Sequence, residues 1–275
     1  MNVNYNKLPY EQYFIDTSND VNNTGRSSFK IEYKTVNYVY NGILTHANYC
    51  VRYDNDRNVI QVHFEGTRDI PDWFTNLLFQ PKYYESFIWE NKKITLRVHK
   101  SWQAMYKVLK HYIRSEVSAL LKSHPESEVE VIGWSLGSAM AMLCTQDLNY
   151  NLNIKSHLFT FGSVNLFKTN VFNRRRTLKY LKSTTYEYHI FTSRNDIVSY
   201  LVPRLFGFIK LGRINLGKFN LFGLFNVRKY HYIYDREKLY KKLYRKEKRS
   251  WFLVFTEYTF KMKVYFLYII NNIIF

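Results

Sequence analysis

The chain has 275 residues, of which 46% are hydrophobic and 19% aromatic, enough apolar material for the core of one large α/β domain. Net charge is +18, a balance that favours anionic surfaces such as phospholipid headgroups or nucleic acid. No run of 18 or more uncharged apolar residues occurs, so a clear transmembrane helix is absent, and the opening Met1-Asn2-Val3-Asn4-Tyr5-Asn6-Lys7 lacks the apolar region of a cleavable secretory signal.

The chain is rich in Asn, Lys, Tyr and Ile, a bias that AT-rich coding also produces, so no single exposed Tyr or Lys is informative. Cys50 and Cys144 allow at most one disulfide, and two free thiols are expected because Cys144 falls on a buried helix face. Pro9 to Asp20 reads as a short amphipathic helix, and Val21 to Ser28 as a loop. Leu44–Tyr53 and Val59–Phe64 read as strands joined by Asp54-Asn55-Asp56-Arg57-Asn58, an antiparallel pair at the leading edge of a sheet. Phe64-Glu65-Gly66-Thr67 ends that strand in a Gly-Thr turn, and a Pro-initiated helix follows. Its apolar residues Ile70, Trp73, Phe74, Leu77 and Leu78 fall at 3–4 spacing. Such a stripe is either an ordinary core-facing helix or a lid that turns its apolar face toward lipid.

Ile94–Val98 reads as a strand, and His99–Leu121 as a long helix with Trp102, Tyr106, Leu109 and Ile113 along one face. Val129–Ile132 reads as a strand, Ser138–Leu143 as a helix, Leu158–Phe161 as a buried strand ending at Gly162, and Tyr186–Thr192 as a further strand. Phe208 to Phe225, with Gly212, Gly217 and Gly223, reads as a hairpin. Tyr230–Arg249 reads as a basic helix. Trp251–Phe275 is aromatic and aliphatic, either an interfacial anchor or a packed segment. Residues 1–249 are therefore taken as one domain and 250–275 as a tail. Alternating strands and helices imply a mostly parallel central sheet with helices on both faces. In such sheets functional groups gather at the carboxyl ends of strands, where Ser135, Ser163 and Asp196 fall.

Between the Val129 strand and the Ser138 helix stands Gly133-Trp134-Ser135-Leu136-Gly137, which fits the G-x-S-x-G nucleophile elbow of α/β-hydrolases. The two glycines give the sharp turn room, and the turn presents Ser135 Oγ at a helix N-terminus. There the N–H of Leu136 can meet a developing oxyanion. A second donor in that fold comes from the loop after an early strand, which points to Thr67. A serine nucleophile needs a histidine base and a carboxylate that fixes its tautomer. In the α/β-hydrolase order the acid and then the histidine follow the serine. Asp147, Glu187 and Asp196 are the carboxylates between Ser135 and His231. Only Asp196 follows a strand; Asp147 lies in the helix after the elbow and Glu187 at the start of a strand. Asp196 also suits a helix N-cap. With Asp196 as the acid, His231 is the one histidine left after it. His46, His63, His99, His111 and His124 precede the serine, and His157 and His189 read as lying at strand starts.

With these motifs in order, the sequence resembles a class 3 lipase, the α/β-hydrolase family of the fungal triacylglycerol lipases, from about Val59 to Tyr240. Gly133-Trp134-Ser135-Leu136-Gly137-Ser138-Ala139 is similar to the family's G-H-S-L-G-G-A. Phe64-Glu65-Gly66-Thr67 with Asp72-Trp73 resembles its R-G-T/S and D-W segment, with Glu65 where the family has Arg. Val98-His99 with Trp102 resembles its V-H-x-G-F, with Ser101 for Gly. Phe159-Thr160-Phe161-Gly162 resembles its T-F-G strand. Asn195-Asp196-Ile197-Val198 with Pro203 resembles its acid loop, and His231 with Tyr234 its late H-x-x-Y. The resemblance implies a serine esterase that cleaves acyl esters of lipids through Ser135, Asp196 and His231, with no metal and no organic cofactor. Phospholipase and short-chain esterase activities of the same fold are alternatives, as is a silent membrane- or nucleic-acid-binding scaffold. Nucleic acid is the less favoured partner, because the aromatics sit at core spacing and no nucleic-acid motif occurs. A lipid ester and an anionic membrane surface are the expected partners, with a cytoplasmic or peripheral membrane location. The sequence leaves oligomeric state open.

Overall fold

The computed structural model describes residues 31–40, 42–66, 81–169, 172–200, 208–209, 211–212 and 214–216. The readings on 9–28, on the helix carrying Ile70 to Leu78, and on 217–275 lie outside the described residues, as does the domain boundary at 249.

Among the described residues, seven strands form one sheet in the order β1 (Lys34–Tyr40), β2 (Ile43–Asp54), β3 (Val59–Phe64), β6 (Glu128–Trp134), β7 (Ser156–Phe161), β8 (Thr185–Ser193), β9 (Ile214–Leu216). The pairs β1–β2 and β2–β3 are antiparallel; every pair from β3 to β9 is parallel. The β2–β3 pair was expected at the edge of the sheet, but β1 lies outside it. β1 alternates half-buried Val36, Tyr38 and Tyr40 with exposed Lys34, Asn37 and Val39, the weak polar signature of an edge strand. The β2–β3 turn closes as expected: the Arg57 N–H donates to Asp54 Oδ1, and Asn58 takes φ 53°. Every residue of β3 is buried, as befits a strand flanked on both sides with both faces covered.

A separate antiparallel hairpin, β4 (Pro81–Trp89) and β5 (Lys92–His99), precedes the long helix. Glu90 and Asn91 both take positive φ in its two-residue turn, the geometry that matches strand twist. The described α-helices are α1 (Lys100–Ser123), α2 (Leu136–Leu152) and α3 (Arg174–Ser183). α1 buries Trp102, Tyr106, Leu109, Ile113 and Val117 at 3–4 spacing, the stripe expected of a helix with one covered face. α2 is buried continuously from Gly137 to Leu148, so it is the central helix of the core. Residues from all three helices share one hydrophobic cluster with Ile60, Val62, Phe64, Val129, Val131, Leu158 and Ile190 of the sheet. The alternate residues Trp134, Phe159, Phe161 and Phe191 are also buried. They stack across strands, with Phe161 5.9 Å from Trp134 and 5.3 Å from Phe191 between ring centroids.

Ile214–Leu216, within the stretch read as a hairpin, adds to the sheet as β9, parallel to β8; the stretch from 217 to 225 lies outside the described residues. One reading is corrected. His189 is not at the start of its strand. It lies mid-strand in β8, its ring stacked on Phe159, its Nε2 3.0 Å from Glu187 Oε2. Cys50 and Cys144 are free and buried, as expected.

Candidate active site

The register of the parallel strands sets the site. Phe64 of β3 pairs with Gly133 of β6, Trp134 with Phe161 of β7, and Phe161 with Phe191 of β8. These residues form one row at the carboxyl edge of the sheet. The Ser135 N–H donates to the Phe161 carbonyl at 2.9 Å, and the Gly162 N–H to the Phe191 carbonyl at 3.0 Å. The edge is therefore stitched one step past each strand.

Ser135 stands between β6 and α2 with φ 52° and ψ −116°. That conformation is rare for a residue with a side chain and is held against a cost of about 1–3 kcal/mol. Its neighbours make it possible. A Cβ on Gly133 would collide with the Gly137 carbonyl, and a Cβ on Gly137 with the Phe64 carbonyl. The strand, the turn and the helix start are thus packed backbone to backbone. The Ser138 N–H closes on the Ser135 carbonyl at 3.0 Å and starts α2, leaving Leu136 in its first turn, where N–H groups have no helical partner.

The turn after β3 meets this elbow. An added Cβ on Gly66 would lie 3.1 Å from the Trp134 carbonyl and 3.7 Å from Ser135 Cβ. Gly66 therefore lies against the serine. Thr67 itself lies outside the described residues, as do Ile70, Trp73, Phe74, Leu77, Leu78 and His231. Glu65, which stands where the family has Arg, is clamped to β2: its carboxylate accepts from Asn48 Nδ2, and its N–H donates to the Asn48 carbonyl at 3.4 Å. Sequence reading missed Asn48. The pairing of β2 with β3, in which Tyr49 faces Phe64, was its only signal.

Asp196 follows β8 and is fully buried. Its Oδ1 accepts the Val198 N–H at 3.0 Å, so it caps the 3-10 turn Ile197–Tyr200. Ser199 Oγ donates to its carbonyl at 2.9 Å, and its N–H donates to the Ser193 carbonyl at 3.2 Å. The N-cap reading of this residue holds, and the cap fixes the carboxylate at the edge. β6 and β8 are two strand spacings apart, roughly 10 Å. A ring hydrogen-bonded on both sides fits such a gap better than direct contact does.

The rival carboxylate Asp147 is engaged elsewhere. It lies fully buried on α2 and accepts from Tyr106 Oη and Arg114 Nε of α1, both at 2.9 Å. Several other histidines are likewise committed. His63 is fully buried, and burial, with Arg52 adding like charge, pushes it down to about 3; its Nε2 faces Gln61 Oε1 at 3.2 Å. His99 Nδ1 meets Ser101 Oγ at 2.7 Å, and His124 stacks on Tyr53. No group of three His, Cys, Asp or Glu that could hold a metal occurs among the described residues.

A strained serine between strand and helix, braced by two glycines at the carboxyl edge of a mostly parallel sheet, is the construction of an α/β-hydrolase. The fold agrees. A triacylglycerol lipase with a catalytic centre formed by a serine protease triad superposes at a TM-score of 0.61 with 23% identity, covering 78% of this chain and 80% of that one. The lipase of Rhizopus microsporus var. chinensis superposes at 0.60 with 17% identity, covering 79% and 77%. By sequence, a lipase of Rhizomucor miehei is 28% identical over 170 residues, 60% of this chain; the chain spans 44% of that protein's length. Residues 61–206 match the class 3 lipase family, and the chain belongs to it.

Proposed function

We propose that the protein hydrolyses carboxylic esters of lipids through an acyl-enzyme on Ser135. The observation that carries this reading is the strained elbow with the Gly66 turn packed against it. Such strain persists where it serves chemistry, and Gly66 at the end of β3 lies beside the serine, where a second oxyanion donor would be needed. The Rhizomucor miehei relative, named a lipase, supports the same class.

In this reading Ser135 Oγ attacks the ester carbonyl while His231 takes its proton. Asp196 holds the imidazole tautomer and stabilises the imidazolium. The N–H groups of Leu136 and Thr67 receive the oxyanion charge. His231 then returns the proton to the leaving alcohol, and water attacks the acyl-enzyme by the same route in reverse. Ile70, Trp73, Phe74, Leu77 and Leu78 offer the acyl chain an apolar surface, and the +18 charge draws the enzyme to anionic lipid surfaces. No metal or organic cofactor enters these steps.

Replacing Ser135 by Ala lowers ester turnover by at least about a thousandfold, measured on emulsified triglyceride and on a soluble p-nitrophenyl ester. Turnover by Ser135→Ala at the parent rate overturns the assignment.

A further inference from the structure

α3 is amphipathic in an unusual way. Its inner face, Thr177, Tyr180 and Leu181, is buried. Its outer face is cationic: Arg175, Lys179 and Lys182 are exposed and recur at i, i+4 and i+7. Phe172, just before the helix, is 95% exposed. Arg174 and Arg176 flank this stripe, and no acidic residue stands in the first turn. Among the described residues no carboxylate pairs with Arg174, Arg175 or Arg176. Lys179 reaches Glu90 at 3.1 Å, but both side chains are largely exposed, and such a pair is readily exchanged for another anion.

α3 leads into β8, which starts at the edge of the sheet opposite Ser135. We propose that this outward stripe docks the protein on an anionic lipid surface. The cations meet phosphate headgroups and Phe172 enters the interface. Charge complementarity commits the stripe to an anionic partner. The exposed aromatic beside it, Phe172, favours lipid over nucleic acid. The inference rests on the lipid-ester reading and adds which surface carries the docking.

The test uses the full chain with Ser135→Ala, so that vesicles stay intact. Partition is measured onto phosphatidylcholine vesicles with and without phosphatidylglycerol. Binding should require the anionic lipid. Arg175→Glu with Lys182→Glu should weaken it at least about tenfold, and Phe172→Ala should weaken it several-fold. The same charge change on α1, Lys107→Glu with Lys122→Glu, should cost less than about threefold. Equal losses from the two pairs mean bulk attraction and overturn the proposal, as does no loss from the α3 pair. Loss of binding to a single-stranded RNA oligonucleotide with vesicle partition unchanged also overturns it. Circular-dichroism melts check that each variant is folded. Turnover of a soluble p-nitrophenyl ester by the parent chain tests the hydrolase reading separately, since partition is read without catalysis.

Discussion

Ser135 and its two glycines show how much one turn can encode. The backbone at Gly133 contacts that at Gly137, and Gly137 contacts Phe64. A side chain at either position would push β3, β6 and α2 apart. That requirement is local, so the five-residue spacing carried it in the sequence. The Asn48–Glu65 clamp was not legible, because it joins residues from two strands whose register only the folded sheet defines. His63 gives this scale its pH dependence. Burial holds it neutral in the folded chain down to about 3, whereas in the unfolded chain it protonates near 6.5. Between those values the unfolded state binds more protons, so stability falls as pH falls. This histidine alone contributes a slope of about 1.4 kcal/mol per pH unit. Urea unfolding from pH 7 to pH 4 checks it: His63→Leu should flatten the slope by about that amount, and an unchanged slope means the ring is not held neutral.

At the level of elements, α1 and α2 are locked by a buried polar contact as well as by apolar packing. Asp147 takes Arg114 and Tyr106 from α1 and Asn151 from its own helix. Asp147→Asn leaves Arg114 without its countercharge and should destabilise the fold by about 3 kcal/mol, read as a drop in the urea midpoint at constant m-value. A loss under about 0.5 kcal/mol would show that packing alone holds the pair. The elements best read from sequence were those with strong periodicity: α1 with its 3–4 stripe, and β3, β6 and β7 with their β-branched or aromatic runs. β1 and β4 were missed because both interleave polar with apolar residues. β4 also begins at Pro81 and carries Lys82, Glu85 and Ser86, which dilute its pattern. The pairing of β9 with β8 was not legible because three residues of strand take their identity from the neighbour they pair with.

For the whole molecule, a parallel sheet gathers distant loops at one edge, which is why a site joining residues as far apart in the chain as Ser135 and Asp196 could be anticipated at all. Ser135 and Asp196 were legible because each follows a strand, and both lie at the same edge. His231 rested on chain order, and Thr67 on the position of a turn, and both lie outside the described residues. The stripe on α3 escaped sequence reading because overall charge hid it: with 40 Lys and Arg in the chain, only burial shows which of them form one outward row. In the mechanism proposed, Ser135 is a nucleophile activated by His231. The most direct measurement of this is intact-mass and peptide mapping of the full chain after exposure to an alkyl fluorophosphonate. One adduct should form on Ser135, none on Ser135→Ala, and His231→Ala should react at least about a hundredfold more slowly. An adduct at another residue, or equal rates with and without the imidazole, would contradict it.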